Sequence, residues 1–332
     1  MRTPFLIGIG LGLVAAVVFA SAATGPFLAR FVLMFITPLP IALAGLGWGW
    51  RTAVIAGAAG SALILPFAGP AMAAAFLLTQ AAPMVVLTYL AMLSRPLALE
   101  SDTAPAADDG APMEWYPPGR LVVWAAAMAG LVSAVMLVTI GGDLETLRKS
   151  LAEIMTTALE AGLPQGEGGV KLSETEITAL SEIALGMLPA AFAISWMASL
   201  VFNLWLAGRV TLASGQLGRP WPNLAATAYP AGTSLAFGTA LIASMLSGLP
   251  GLAASAFAGA LFIAYLLLGL AVIHYTTHGR PWRTFALWAL YGSLFIVNFW
   301  AAILIAMLGL AESVLHLRAR FTASTGAPPS QT

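Results

Sequence analysis

The chain has 332 residues, of which 60% are hydrophobic and only 8% charged, with a mean hydropathy of +0.90. A soluble domain carries about a quarter of its residues as charges, so an ordinary globular fold is excluded. Fourteen bases balance fourteen acids, which leaves no global field for nucleic acid, and zero Cys removes disulfides, thiolate metal sites and cysteine catalysis.

The charges stand at boundaries. Sixty residues between Arg219 and Arg280 contain no Lys, Arg, Asp or Glu, and Arg51 to Arg95 and nearly all of Thr3 to Ala29 repeat the pattern. A charge at the bilayer centre costs about 2.5–3.5 kcal/mol on insertion scales, and about twenty apolar residues cross the ~30 Å hydrocarbon layer. The pattern predicts an all-α polytopic helical transmembrane bundle of about nine spans: Phe5–Ala23, Phe27–Trp48, Thr52–Ala68, Met72–Ser94, Leu121–Gly141, Ile183–Ala207, Tyr229–Ser247, Leu252–Thr276 and Phe285–Ala311.

In span one, Gly8, Gly12, Ala16 and Ala20 place a small residue at every fourth position, a stripe for helix packing or for a partner. Met1-Arg2, the apolar stretch from Phe5 and Ala20-Ser21-Ala22 imitate a signal peptide, but a discarded signal needs no stripe, so a retained helix is expected. Pro66, Gly69 and Pro70 are expected to turn spans three and four into a hairpin, and Leu249-Pro250-Gly251 does the same for spans seven and eight.

Pro96 to Gly119 is rich in Ala, Pro and Asp without periodicity and is read as a disordered cytoplasmic loop, residues 97–119. Residues 143–182 form an amphipathic outer segment. There Leu144, Leu147, Leu151, Ile154, Met155 and Ala158 recur at helical spacing opposite Glu145, Lys149, Glu153 and Glu160. A turn follows at Gly162 to Gly169. Ser173-Glu174-Thr175-Glu176 is a capping box that starts the helix into span six, where Pro189 is expected to produce a kink. The whole reads as a single transmembrane domain, residues 1–317, with a disordered tail at 318–332.

With the N-terminus inside, Arg2, Arg51, Arg95, Arg120, Arg209, Arg219, Arg280 and Arg283 all face the cytoplasm of a bacterial inner membrane, as the positive-inside rule asks. An odd number of spans then leaves Arg318 and Arg320 outside. Gly-Arg-Pro-Trp occurs twice, at Gly218–Trp221 and Gly279–Trp282, each ahead of an apolar span. Arg219 and Arg280 with Trp221 and Trp282 are either ordinary headgroup anchors or a duplicated docking element.

Catalytic signatures are absent: no His-Glu-x-x-His, no Gly-x-Ser-x-Gly and no Walker loop, so no enzyme and no cofactor or metal site is expected. Ile140-Gly141-Gly142-Asp143 only approximates the aspartate motif of intramembrane proteases. His274, His278 and His316 stand alone, and no carboxylate falls inside a predicted span, which argues against a proton relay. The polar groups within the spans are Thr79, Gln80, Asn203, Tyr265 and Asn298. Each either bonds to a neighbouring helix or lines a cavity for a ligand. Gln80, just ahead of the helix-breaking Pro83, is the foremost ligand candidate because a kink frees carbonyls.

The stretch Phe35–Leu65, with Thr37-Pro38-Leu39-Pro40, Gly45-Leu46-Gly47 and Gly57, resembles the YybS-like bacterial membrane proteins of unknown function (domain of unknown function 2232). Gly269-Leu270-Ala271-Val272-Ile273-His274-Tyr275 followed by a basic turn resembles them too. That family is distantly similar to the S subunits of energy-coupling-factor vitamin transporters, in which a six-helix bundle binds a solute and an Ala-x-x-x-Ala stripe on the first helix meets a coupling subunit. The resemblance implies that role for Gly8, Gly12, Ala16 and Ala20, while the extra C-terminal spans and the long outer segment depart from it. Two functions are therefore expected as alternatives. One is a solute-binding or transporter-like subunit for a small uncharged or amphipathic molecule, with lipid and a coupling subunit as partners. The other is a non-transporting membrane scaffold.

Overall fold

The computed structural model describes residues 2–24, 26–96, 113–141, 143–150, 152–153 and 173–325, and most of these are helical. Among the described residues, six helical stretches are long and apolar enough to cross a bilayer. The helical membrane class is therefore as the charge-free gaps require. The chain divides into two compact units, Met1–Ala125 with Ala198–Pro230, and Ala126–Met197 with Ala231–Thr332.

The first unit begins with α1 (Arg2–Thr24), α2 (Phe27–Ile36) and α3 (Leu39–Trp48). Pro38 and Pro40 take two N–H donors out of the ladder, so predicted span two is divided into α2 and α3. Next come α4 (Trp50–Phe76), a π-turn (Leu77–Ala81) and α5 (Ala82–Ala91). Within α4 the chain reverses at Gly69, whose φ of 81° and ψ of 173° only glycine adopts without strain. The arms then lie back to back, with Gly57 against the Ala81 side chain and Gly60 against the ring of Phe76. This is the expected hairpin.

α1 packs on the first arm of α4. Gly8 meets the Thr52 carbonyl and Ile55, and Gly12 meets the Ala56 backbone, so the helices run parallel in contact. Gly8, Gly12 and Ala16 are buried, but Ala20 is exposed. Ala20 is a correction with a simple cause. Four residues advance a helix by about 400°, so a period-four stripe drifts about 40° per step. Phe19 and Ala22 take the interface instead, with Phe19 edge-on to Phe76.

β1 (Ser94–Pro96) pairs antiparallel with β2 (Met113–Trp115), Arg95 opposite Glu114. The ends of the expected disordered loop are thus ordered. Its residues 97–112 lie outside the described residues. α6 (Pro118–Gly141) and α8 (Glu174–Ala213) each run through both units.

In the second unit residues 144–150 form α7. Leu147 is buried in an apolar cluster with Leu137 and Leu185, supported by Leu144, Ala184, Leu249 and Leu252, as the amphipathic spacing requires. Asp143 caps α7, accepting from the Thr146 amide at 2.9 Å and its hydroxyl at 2.8 Å. The Asp143 side chain is thus engaged as a helix cap. Leu151, Ile154, Met155, Ala158, Glu160 and the Gly162–Gly169 turn lie outside the described residues. The capping box is formed: Ser173 donates from N and Oγ to Glu176, each at 2.8 Å, and the Glu176 amide returns to Ser173 Oγ at 3.3 Å.

Two further predicted spans depart from single bilayer-crossing helices. Span seven is α9 (Thr233–Ala243), whose 11 residues rise only about 17 Å. α10 (Gly248–Thr276) already includes Leu249-Pro250-Gly251 in its first turn, so the reversal falls at Ser244–Ser247, just ahead of Gly248 with φ 78°. Pro suits a first turn, where its missing N–H has no intrahelical partner to lose. Span nine is α11 (Arg283–Ile296) and α12 (Phe299–Leu315), broken at Asn298 with φ 47°. α13 (Leu317–Thr325) replaces part of the expected disordered tail, and residues 326–332 lie outside the described residues.

α10 and α12 are joined by Gly269 against the Ile305 carbonyl and Gly309 against the Tyr265 carbonyl. Arg318 lies over the ring of Tyr275, and Arg280 over Phe321, so the two C-terminal ends are neighbours.

Candidate functional site

The sharpest chemistry is at the π-turn. The Thr79 hydroxyl gives its one proton to the Ala75 carbonyl at 2.7 Å, so towards Gln80 it can only accept. Gln80 Nε2 donates to it at 3.2 Å, which fixes the amide orientation and turns Oε1 away. Gln80 is 1% exposed, and its Oε1 has no hydrogen-bond partner among the described residues. The Ala82 amide bonds back to the Leu77 carbonyl, and Pro83 has no N–H. Leu78 thus loses its usual i+4 donor with none at i+5, and Thr79 loses its i+4 donor. A buried amide oxygen and under-supplied carbonyls therefore share one turn. The sequence signal was Pro83 four residues after Thr79, but the π register itself was not legible.

Asn203, fully buried, donates Nδ2 to the Phe35 and Ser199 carbonyls, both at 2.7 Å, and Ser199 Oγ donates to Phe35 as well at 2.5 Å. These donors serve the end of α2, where the two prolines thin the ladder. Asn203 thus joins α8 to α2, and its Oδ1 is left without a partner among the described residues. Of the two roles open to Asn203 in the sequence, a ligand contact or a bond to a neighbouring helix, the Phe35 carbonyl supplies a partner for the second. Ser199 and the Phe35 carbonyl were missed because they lie 164 positions apart.

Tyr265 and Asn298 belong to the second unit. Tyr265 is fully buried, stacked on Phe237 with ring centroids 5.1 Å apart, and its hydroxyl interacts with Ser234 and Ser313. Asn298 is not inside a span. It is exposed at the break between α11 and α12, where its carbonyl takes the Ala302 amide. An open cleft of about 520 Å³ lies between α9 and α10, lined by Leu235, Thr239, Ala243, Phe257 and Leu261 among others, and by none of the five candidates. Ser133 and Trp196, which sequence reasoning passed over, bury a hydroxyl and an indole N–H without partners among the described residues. His274 is the polar end of α10, its Nδ1 3.0 Å from the Leu270 carbonyl.

The twin Gly-Arg-Pro-Trp turns are not equivalent. Arg219 reaches the carbonyl of Ala91 at 2.6 Å, capping the end of α5, and lies over the ring of Trp115. Burial holds its guanidinium below the ordinary arginine value. Trp221 packs on Gly208 beneath Arg209. In the second copy Arg280 and Trp282 are exposed, and Trp282 is the N-cap residue just ahead of α11. Glu312 was expected beyond the spans but lies in the last turn of apolar α12. It is buried and paired with Arg318, 2.8 Å to Nε and 3.0 Å to the amide. Among the described residues no group of His, Asp and Glu side chains gathers as a metal set.

Closely packed apolar helices, charges held at helix ends and polar groups turned inward define a multi-pass helical membrane protein. The chain belongs to the family described as predicted membrane protein (DUF2232), whose model matches residues 119–313, more than half its length. That match takes in Gly269–Tyr275 and begins after Phe35–Leu65. No curated protein and no solved structure matches the chain.

Proposed function

We propose that this protein is a solute-binding, transporter-like subunit of the bacterial inner membrane, with a small uncharged or amphipathic ligand and no enzymatic activity. The observation that carries the reading is Gln80: a buried acceptor oxygen with no donor, set in a helix whose ladder is interrupted. Leaving a buried acceptor unmade costs about 1–3 kcal/mol, a cost that a ligand O–H or N–H removes. π-turns recur at functional sites because they are tolerated only where something offsets the lost ladder. Arg51, Arg95, Arg120, Arg209 and Arg219 lie at the end of the first unit that the positive-inside rule assigns to the cytoplasm. The resemblance to S subunits of energy-coupling-factor transporters, read from the sequence alone, favours solute binding. Its coupling stripe, however, is occupied by α4, which leaves a coupling partner, or a scaffold built on that stripe, without this docking surface.

The test is a mass-spectrometric inventory of small molecules extracted from purified wild type and from Gln80→Leu. A molecule held by wild type and depleted in a folded variant is the expected outcome. Gln80→Leu should also melt at or above the wild-type temperature once ligand is stripped, since it deletes an unmet acceptor. Identical inventories, together with a destabilised variant, would reduce Gln80 to a local structural contact within its own turn. The recovered molecule at 100 times its Kd should then stabilise wild type by ~2.7 kcal/mol.

A further inference from the structure

We propose that the arginine-rich end of the first unit binds the phosphates of anionic phospholipid headgroups. Four guanidinium groups there lie over aromatic rings: Arg51 over Trp50, Arg120 over Tyr116, Arg209 over Trp221 and Arg219 over Trp115, at 5.1–5.9 Å. The stacks are contiguous through the fold. Trp50 meets Tyr89 edge-on, α5 ends two residues later at Ala91, and Ala91 accepts from Arg219. Arg219 in turn covers Trp115, whose neighbour Tyr116 carries Arg120, and Trp221 lies beneath Arg209.

The roles of these cations differ. Arg219 is consumed by the Ala91 and Tyr116 carbonyls, and Arg95 by Glu114 at 2.6 Å. Arg51, Arg120 and Arg209 are exposed, and none has a carboxylate partner among the described residues. Stacking fixes the plane of a guanidinium while leaving its in-plane N–H edge open, the geometry that grips a phosphate through two parallel hydrogen bonds. Trp50 and Trp124 are half-exposed beside them, and such rings settle at headgroup depth, which places the free edges level with lipid phosphates. An anionic lipid surface is the occupant that this depth, charge and edge geometry suit.

The experiment transfers the full-length protein into vesicles of phosphatidylcholine with a minority of phosphatidylglycerol, re-extracts it, and reads the retained lipid by native mass spectrometry. The expected result is phosphatidylglycerol enriched over its share in the vesicle, with the enrichment lowered by added NaCl. Each of Arg51→Gln, Arg120→Gln and Arg209→Gln should reduce it by roughly fivefold, while Arg30→Gln, away from this end, should not. Retained helicity and melting temperature identify variants that fold, and the salt series on wild type tests the proposal without any variant.

No enrichment, or enrichment indifferent to salt, overturns it. Displacement by inorganic phosphate, but not by chloride at equal ionic strength, would assign the site to a free anion and overturn the lipid assignment. Enrichment seen only after Asp102→Asn, Asp108→Asn and Asp109→Asn would make the chain's own acidic segment the occupant, with the same consequence.

Discussion

Gly12 of α1 lies against the main chain of Ala56 in α4: a Cβ on Gly12 would fall 2.9 Å from the Ala56 Cα and closer still to its carbonyl oxygen. That approach sets the distance between the two helices, and Gly8 and Gly60 extend it on either side. In a lipid environment, where apolar surface gains nothing by leaving the tails, close backbone packing of this kind carries helix association.

Gly12→Leu should therefore lower stability by about 1–3 kcal/mol or more, since neither backbone can retreat. Leu13→Phe and Ala20→Leu, both on the exposed side, should change it little. Thermal unfolding in detergent decides the matter. A melting temperature unchanged by Gly12→Leu would contradict the packing.

The twin turns should respond unequally. Arg219→Ala removes a charged donor from the Ala91 carbonyl and a cation from Trp115, and should cost about 1.5–3 kcal/mol. Arg280→Ala, exposed over Phe321, should fall within about 0.5 kcal/mol of wild type. Denaturation of the two variants side by side gives the comparison, and equal losses would restore the symmetry that the repeated motif suggests.

Glu312→Gln should release α13. It leaves Arg318, only 12% exposed, without its counter-charge, and breaking a buried pair from one side costs about 3–5 kcal/mol. Limited proteolysis should cut the variant between α12 and α13 sooner than wild type. Glu312→Gln with Arg318→Gln together should be milder than Glu312→Gln alone. If the double variant is cut faster than the single one, the ion pair is not the latch.

The capping box makes the start of α8 sensitive to acid. The Ser173 amide, and then its hydroxyl, hold the Glu176 carboxyl below its ordinary value. A lowered folded-state value contributes stability above the ordinary carboxylate range that is lost as pH falls through that lowered value. Amide exchange over Glu174–Glu176, corrected for intrinsic rates, should quicken on acidification, and Glu176→Gln should flatten the dependence. The same profile in wild type and variant would show that Glu176 is not the group responsible.

The sequence by itself determined the membrane class, predicted spans one to six and eight, the hairpin near Gly69 and both helix starts at Asp143 and Ser173. Those features rest on local costs: one charge in hydrocarbon, one proline in a ladder, one side chain reaching the amides of its own first turn. Tertiary structure alone decided the rest. Hydropathy runs unbroken through Asn298 and Gln80, because the transfer cost of a side chain is blind to the backbone register that makes a break in one place and a π-turn in the other. Arg219 could be read as basic, but its acceptor on Ala91 is 128 positions away, and no periodicity links them. Ala20 belonged to a regular stripe in the chain, yet the 3.6-residue turn of the helix rotated it out of the interface that Gly8, Gly12 and Ala16 share with α4.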